Sequence, residues 1–335
     1  MNAGCLVFVV LLSAMGMAQT LFQQLSPSEI HPLSWPTGSP VLPLKCDEDG
    51  NVYARFLLGV LPSPSSEIVK IAPDGTKKAT FDYARVPDLG KAFAPDFSIG
   101  VTGELYEVVE VPTRKGNQVL LLRFSENGTF QGKAELTTPK PFAPSQVLAL
   151  RDGNLLISGV LEEGSDKGRA FNGIFSTNGQ LIRKFGLKGE PEPKSNPAIS
   201  SEDAMLLNPG ALSARAMLGL DGNVYIFHQV SPARLYVVSP SGQLLRTLTL
   251  APPKDKAEPS EAAMGSTSMA IEFQVPEEKY VSITRIRLVS LQTGEPIADY
   301  EISPGLGPIA CYASDKFTFI RMIRNQQSLI HASTH

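Results

Sequence analysis

The sequence contains little charge and few of the residue types that bind metals or perform catalysis. Of its 335 residues, 19% are charged, and there are four histidines, three cysteines and one tryptophan. The net charge of −3 argues against a nucleic-acid-binding protein, because neutralising phosphates requires a basic surface. The chain instead has 28 glycines and 27 prolines. This abundance argues against a helical bundle or coiled coil, since both residues disfavour helix interiors.

Common catalytic and cofactor-binding motifs are also missing. There is no Gly-x-Ser-x-Gly segment, which argues against an esterase of the α/β-hydrolase type. The chain has no His-Glu-x-x-His, no Cys-x-x-Cys and no Walker-type phosphate loop, and its histidines at 31, 228, 331 and 335 are too few and scattered for a conventional zinc site. We therefore expect no cofactor and no metal, and the sequence assigns no catalytic residue.

The first 18 residues have the pattern of an export signal. They contain no charged side chain, are nearly all apolar from Cys5 to Met15, and end in the small residues Gly16 and Ala18. Such an ending is typical of a cleavage site, and the apolar run is shorter than the ~20 residues of a membrane-spanning helix. We expect a signal peptide over 1–18, a periplasmic or secreted protein, and no membrane span after cleavage. An uncleaved membrane anchor is the alternative.

The most informative pattern is an alternation of two kinds of glycine turn. The first kind precedes a β-run and occurs at Asp49-Gly50, Thr102-Gly103, Asp152-Gly153 and Asp221-Gly222. The second kind has glycines at 75, 128, 179, 242 and 294, spaced by 53, 51, 63 and 52 residues. Asp-Gly and Asn-Gly pairs supply the positive φ angles of hairpin turns. Each period therefore predicts four antiparallel strands, A to D, which is one propeller blade.

Five such units are legible, and a sixth begins at Ile309 but ends one strand short. The segment after residue 19 can supply the missing outer strand, which closes the ring and removes exposed edges. We therefore expect an all-β fold over 19–335, a single six-bladed β-propeller of four-stranded antiparallel blades closed by an N-terminal strand. A flat multi-sheet sandwich is the alternative.

The repeat resembles that of NHL-type six-bladed propellers. The best copy is the segment 220–227, LDGNVYIF, followed by 234–243, RLYVVSPSGQ, and the resemblance covers roughly residues 40–325. It implies the architecture but not an activity, because propellers of this kind serve as interaction scaffolds, ligand binders and occasionally enzymes.

In such propellers the A–B and C–D turns share one face, and the B–C and D–A loops share the other, which we name the long-loop face. The loops expected on that face are long and variable, and they cover 61–66, 112–117, 162–169, 186–213 and 251–268. Variable loops on a rigid scaffold commonly carry binding residues. Solvated linkers are the alternative for each of them.

Aligning the blades on strand B places Cys46, Ile99, Ala149, Leu218 and Cys311 at one inner core position. Three residues earlier, at the expected mouth of the central channel, come Pro43, Asp96, Gln146, Arg215 and Pro308. The sequence thus predicts a polar ring of Asp96, Gln146 and Arg215, with His228 facing the same side, as weak candidates for ligand binding. The alternative is that the ring binds loop backbone or water and that His228 is structural.

Cys46 and Cys311 occupy equivalent positions in the first and last blades, which are neighbours across the ring closure. In an exported protein such a pair is a disulfide candidate, provided that the Cα atoms lie within roughly 7 Å. Two buried free thiols are the alternative.

Two functions are compatible with this pattern. The first is an exported scaffold that binds an unknown protein or small-molecule ligand on the long-loop face, without catalysis. The second is a metal-dependent lactonase or hydrolase of the gluconolactonase propeller type. That family opens with a Glu-Gly/Ala-Pro-x-Trp segment, whereas the only tryptophan here, Trp35, lies in HPLSWP. Asp96 is the only carboxylate expected at the channel mouth, which favours the scaffold.

Overall fold

The computed structural model describes residues 22–35, 38–58, 65–114, 116–162, 167–187, 214–229, 232–278, 281–313, 315–323 and 326–334. The predicted signal peptide and most of the predicted loops 61–66 and 186–213 lie outside these residues. The described chain forms strands β1 to β24 and one 3-10 turn, Tyr83–Arg85. This part of the chain contains no helix with the length and apolarity needed to cross a bilayer.

Sixteen strands form four antiparallel sheets, each built from four consecutive strands. The first contains β2 Ser39–Cys46, β3 Val52–Leu58, β4 Ser65–Ile71 and β5 Lys77–Phe81. The second contains β6 Phe93–Ile99, β7 Leu105–Thr113, β8 Gly116–Phe124 and β9 Phe130–Glu135. The third contains β10 Phe142–Ala149, β11 Leu155–Leu161, β12 Ala170–Phe175 and β13 Leu181–Phe185. The fourth contains β14 Ala214–Leu218, β15 Val224–His228, β16 Arg234–Val238 and β17 Leu244–Thr249.

The remaining strands form one sheet of eight, in the order β18-β19-β20-β21-β1-β24-β23-β22. Their bounds are β18 Glu258–Met264, β19 Ser268–Glu278, β20 Val281–Ser290, β21 Pro296–Ile302, β22 Ile309–Ala313, β23 Lys316–Ile323, β24 Gln326–Thr334 and β1 Gln23–Pro32. The fold is therefore all-β and propeller-like, with four separate four-stranded sheets and one eight-stranded sheet. The expectation of six separate blades is met only in part.

The eight-stranded sheet is continuous because β1 pairs on both sides. From Leu25 to Pro32 it runs antiparallel to β24, as expected for an N-terminal strand that completes the last repeat. Its first residues, Gln23 to Leu25, also run parallel to Tyr300–Ile302 of β21. A ten-residue strand is long enough to use both of its edges, and this joins the last two groups of strands.

The first strand of each group lies at the centre of the molecule. Each of β2, β6, β10, β14, β18 and β22 contacts the next one in this series, and β22 contacts β2. Hydrophobic clusters fill the spaces between neighbouring groups of strands; Tyr53, Phe81, Phe97 and Phe124, for example, pack between the first and second sheets. Alternating apolar residues thus bury both faces of each sheet.

The two kinds of glycine turn lie where the sequence pattern predicts them. In the β14–β15 turn, Gly222 has a φ of +78°, and Asp221 Oδ1 accepts the backbone N–H of Asn223 at 3.0 Å. The second kind of turn packs on the outer strand of the preceding sheet: a side chain at Gly128 would collide with the Thr80 carbonyl of β5. Gly75 packs in the same way on His31 of β1, so β1 has the position of the outer strand that precedes the first sheet.

Three predicted loops are partly strand. The segment 251–268 contains β18, the segment 112–117 contains the paired ends of β7 and β8, and the last two residues of 61–66 begin β4. The β18 sequence, EPSEAAM, lacks the β-branched residues that mark strands in a sequence. Burial of Ala262 and Ala263 between neighbouring strands decides its conformation.

Cys46 and Cys311 form a disulfide between β2 and β22, with an S–S distance of 2.14 Å and Cα atoms 5.6 Å apart. Both residues belong to the hydrophobic cluster between the last strands and the first sheet. The bond therefore links the first and last inner strands and closes a loop with a sequence separation of 265 residues.

Replacing both cysteines, Cys46→Ala with Cys311→Ala, is expected to lower the free energy of unfolding by roughly 2–4 kcal/mol, because the reduced unfolded chain gains entropy. Urea unfolding of the oxidised protein and the variant measures the difference. The single variant Cys46→Ala is the control and should match the double variant, and dithiothreitol should destabilise only the parent protein. Equal urea midpoints for parent and double variant would contradict the expectation.

Candidate functional site

The centre of the ring holds a partly buried charged residue that the sequence alignment did not identify. Lys45 on β2 donates from Nζ to Asp96 Oδ2 at 2.9 Å, to the Phe97 carbonyl, and to the Val147 carbonyl at 3.4 Å. Burial lowers the pKa of the Lys45 ammonium group, and the neighbouring Asp96 carboxylate opposes this effect. Since the acceptors belong to β6 and β10, Lys45 ties three inner strands together across the centre.

Two members of the predicted polar ring bond to the backbone of the next inner strand. Asp96 Oδ2 accepts the N–H of Val147 at 2.9 Å, and Gln146 Oε1 accepts the N–H of Ala216 at 2.8 Å. Ser98 Oγ accepts the N–H of Ala149 in the same way, at 2.8 Å. Asp96 and Gln146 thus connect neighbouring inner strands, and the Asp96 carboxylate also pairs with the ammonium group of Lys45.

The third member of the ring, Arg215 on β14, forms an ion pair with Glu261 on β18. Next to this pair, Glu272 on β19 accepts the N–H of Ile309 at 2.7 Å. Burial, assisted by the negative charge of Glu261, raises the pKa of Glu272 to about 8, whereas the Ile309 hydrogen bond and Arg215 oppose the rise. Glu272 is therefore mostly protonated at neutral pH.

Arg55 on β3 and Glu107 on β7 extend this network between the first and second sheets, with Arg55 Nη1 at 2.8 Å from Glu107 Oε1. Burial raises the pKa of Glu107, and the positive charge of Arg55 opposes the rise. With Glu272 protonated, three cations face three carboxylates in the network, namely Lys45, Arg55 and Arg215 with Asp96, Glu107 and Glu261. The buried charges thus compensate one another.

The alignment of blades missed Lys45, Glu261 and Glu272. A register shift lies between Val41 and Lys45 in β2, and another lies between Pro259 and Ala262 in β18. Similar shifts precede Asp96 and Gln146, which the alignment did find. The shift in β2 is larger, because four residues from Val41 to Lys45 lie opposite two from Arg55 to Tyr53, and this changes which side chain points to the centre. Glu261 and Glu272 were missed because the alignment contained no residue of β18 or β19. In the sequence, such a residue can be recognised as a single charged residue inside an apolar strand, as Glu272 is in MAIEFQV.

His228 does not join the channel. It is the last residue of β15, at the end away from the turn, and it is buried with 3% of its surface exposed. Among the described residues, its Nε2 has no hydrogen-bond partner, and neither has the hydroxyl of Tyr236, whose ring centroid lies 6.3 Å from that of His228. Burial, and to a smaller extent the charge of Arg234, lowers the pKa of His228, so its ring is neutral at pH 7.

The long-loop face carries an exposed apolar side chain, Phe93, with 63% of its surface accessible. Phe93 begins β6 and is the cross-strand partner of Glu110 on β7. Burial and the charge of Glu162 raise the pKa of Glu110 to about 7, and its Oε2 accepts a hydrogen bond from Asn117 Nδ2 at 3.2 Å. This edge therefore combines an aromatic ring with a carboxyl group that titrates near neutrality.

We find no metal-binding site in the described segments. Within them, no group of three or more His, Cys, Asp and Glu side chains is placed to hold a metal ion. Asp96 and Glu261 instead pair with lysine and arginine, and Glu272 accepts a hydrogen bond from the backbone.

No protein-family model and no curated protein matches the chain. Among solved structures, a protein of unknown function from Dyadobacter fermentans is 10% identical and has a TM-score of 0.55, with 93% of this chain and 99% of that chain covered. A PQQ-bound aldose sugar dehydrogenase from Streptomyces coelicolor is 11% identical, with a TM-score of 0.49 and coverage of 93% and 98%. At such low identity a structural likeness concerns the fold alone, and it assigns no activity to this chain.

Proposed function

We propose that this protein is an exported six-bladed β-propeller that acts as a binding scaffold, with its ligand or partner on the long-loop face. The six-bladed interpretation divides the eight-stranded sheet between β21 and β1. It is supported by the closed series of inner strands β2, β6, β10, β14, β18 and β22. The packing of Gly75 on His31 of β1 supports it as well, because Gly128 packs on β5 in the same manner.

The binding role is supported by a difference between the inner strands, the glycine turns and the long-loop face. The charged side chains of the inner strands pair with one another and with strand backbone, so they hold neighbouring strands together. On the opposite face, glycine turns such as Gly128 pack on the preceding sheet. The glycine turns also expose Val101 and Leu220, but among the described residues Phe93 on the long-loop face, beside Glu110, is the one aromatic residue in the set of exposed large apolar side chains. An exposed aromatic side chain is a common anchor for binding.

Export is supported by two independent features. The pattern of residues 1–18 is that of a signal peptide, and the Cys46–Cys311 disulfide is typical of oxidising compartments outside the cytosol. The NHL-type resemblance of the repeats is in keeping with a scaffold, since that architecture often presents loops to a partner.

Thermal unfolding with a library of small metabolites and peptides tests the binding role, because a ligand that binds only the folded state raises the midpoint. We expect ligands that raise the midpoint of the parent protein and bind at least tenfold more weakly to Phe93→Ser, which removes the aromatic anchor. The matched control is Ile182→Ser on β13, where 57% of the side chain is exposed far from that face, and it should bind as the parent does.

Three results would overturn this proposal. The first is a library in which no compound shifts the midpoint. The second is a set of ligands that are indifferent to Phe93→Ser. The third is a rise with calcium or zinc that EDTA reverses, which would favour a metal-dependent enzyme instead.

A further inference from the structure

Two buried polar atoms find no hydrogen-bond partner in the described part of the chain, and their rings lie between the third and fourth sheets with centroids 6.3 Å apart. They are Nε2 of His228 and the hydroxyl oxygen of Tyr236, on the neighbouring strands β15 and β16. We propose that this space binds a small neutral molecule, which bonds to both atoms through a hydroxyl or amide group. The inference goes beyond the proposed function, because this space is buried between two sheets and does not lie on the long-loop face.

Both side chains point toward the third sheet. Tyr236 packs in one hydrophobic cluster with Ile226 of its own sheet and with Leu156 and Ile174 of the third sheet. His228 follows Ile226 by two residues on β15, and residues two apart on a strand face the same side. The imidazole therefore faces the same space as the phenol.

The third sheet contributes polar groups to the same space. Ser158 and Asn172 lie two residues from Leu156 and Ile174 on β11 and β12, so they face the fourth sheet. Ser158 Oγ donates to Asn172 Oδ1 at 2.7 Å, and both residues are buried. We name Ser158, Asn172, His228 and Tyr236 the inter-sheet polar group. It brings four hydrogen-bonding side chains into an otherwise aliphatic interface.

A bound molecule explains why two of these groups lack partners. Folded proteins rarely leave buried polar atoms unpaired, because desolvation of such an atom is then not offset by a hydrogen bond. His228 and Tyr236 have only 3% and 0% of their surfaces exposed, so bulk water does not supply the missing bonds. A molecule enclosed between the sheets would do so.

The surroundings define the chemical class of that molecule. None of the four side chains carries a formal charge at neutral pH, since burial keeps the His228 imidazole neutral. The neighbouring side chains Leu156, Ile174 and Ile226 are aliphatic. Arg234 is the cross-strand partner of His228 and adds a positive charge on the same side, so a cation would lose its hydration there without a counter-charge. The fitting ligand has an apolar body and one or two neutral polar groups, as phenol and benzamide have.

Nuclear magnetic resonance of ¹⁵N-histidine-labelled, untagged protein tests the proposal, because the sequence has only four histidines. His228→Phe assigns the ring signals of His228. Titration with phenol or benzamide is expected to shift the His228 Nε2 signal saturably. Benzylamine, which has a similar size but carries a positive charge, should bind at least tenfold more weakly. No response to the neutral probes, an equal response to benzylamine, or a signal that reports only a buried water would overturn the proposal.

Tyr236→Phe provides the matched variant, since it removes the hydroxyl and keeps the ring. It should weaken probe binding about five- to tenfold, the effect of one hydrogen bond, without lowering the thermal midpoint, because that hydroxyl has no partner to lose. Tyr225→Phe is the control, since the Tyr225 hydroxyl donates to Asp221 at the opposite end of β15, and it should leave probe binding unchanged. Equal binding by Tyr236→Phe and the parent would overturn the role of Tyr236 and hence the site.

The outcome is separable from that of the proposed function. If binding of the library ligands depends on Phe93 but the His228 signal does not respond to the probes, the inter-sheet site is wrong and the proposed binding scaffold is retained. If the probes shift His228 while Phe93→Ser has no effect on any ligand, the inter-sheet site stands and the long-loop surface is wrong.

Discussion

Replacing Arg55 with methionine, Arg55→Met, is expected to lower the free energy of unfolding by about 3–5 kcal/mol. The change removes the cation that lies 2.8 Å from Glu107, whose side chain has 0% of its surface exposed. A carboxylate buried without its counter-ion must either remain charged in a medium of low polarity or take up a proton, and both destabilise the fold. Urea unfolding at pH 7 measures the loss.

Two further variants separate this mechanism from a general loss of packing. The double variant Arg55→Met with Glu107→Leu removes both charges, and it should recover most of the loss because hydrophobic replacements of buried ion pairs are often tolerated. Arg151→Met breaks an exposed pair with Glu48, in which the charged atoms are 3.0 Å apart. It should change the free energy of unfolding by at most about 1 kcal/mol. A double variant as unstable as Arg55→Met alone would refute the charge argument.

The second large effect is a pH dependence caused by Glu272. Its pKa is about 8 in the folded protein and about 4.5 when unfolded, so between these values the folded state holds a proton that the unfolded state has released. The stability it contributes is fully present below pH ~4.5 and is lost as the pH rises to ~8. Each unit of pKa difference corresponds to about 1.4 kcal/mol, which gives a loss of about 4–5 kcal/mol across this window.

Glu272→Gln isolates this contribution. Glutamine retains an oxygen that accepts the Ile309 N–H bond but cannot ionise, so the variant should lack this loss and be more stable than the parent at pH 8. Urea unfolding at pH 5 and pH 8 measures the difference for both proteins. Glu110→Gln provides the comparison at a carboxyl whose pKa is raised only to about 7, and it should remove a smaller part of the loss than Glu272→Gln does. A parent and a Glu272→Gln variant with the same pH dependence would show that Glu272 is ionised in the fold.

Much of the architecture was predictable because its signals are local. Glycine turns at regular spacing fixed the hairpins, since the positive φ of a residue such as Gly222 is a property of a few adjacent residues. The missing strand at the end of the chain predicted the pairing of an N-terminal strand, and β1 does pair with β24. The position shared by Cys46 and Cys311 followed from the same alignment of repeats, and the two residues are bonded in the structure.

The sequence by itself therefore determined the all-β class, the order of the strands within each group of four and the approximate inner position of Asp96, Gln146 and Arg215. The tertiary structure decided what those side chains contact, because a bulge such as that between Val41 and Lys45 shifts the register by an amount that local sequence does not encode. It also decided that β1 joins β21 and that His228 is buried between the third and fourth sheets. These features depend on contacts between residues far apart in the chain, whereas turns and strand alternation depend on neighbours in sequence.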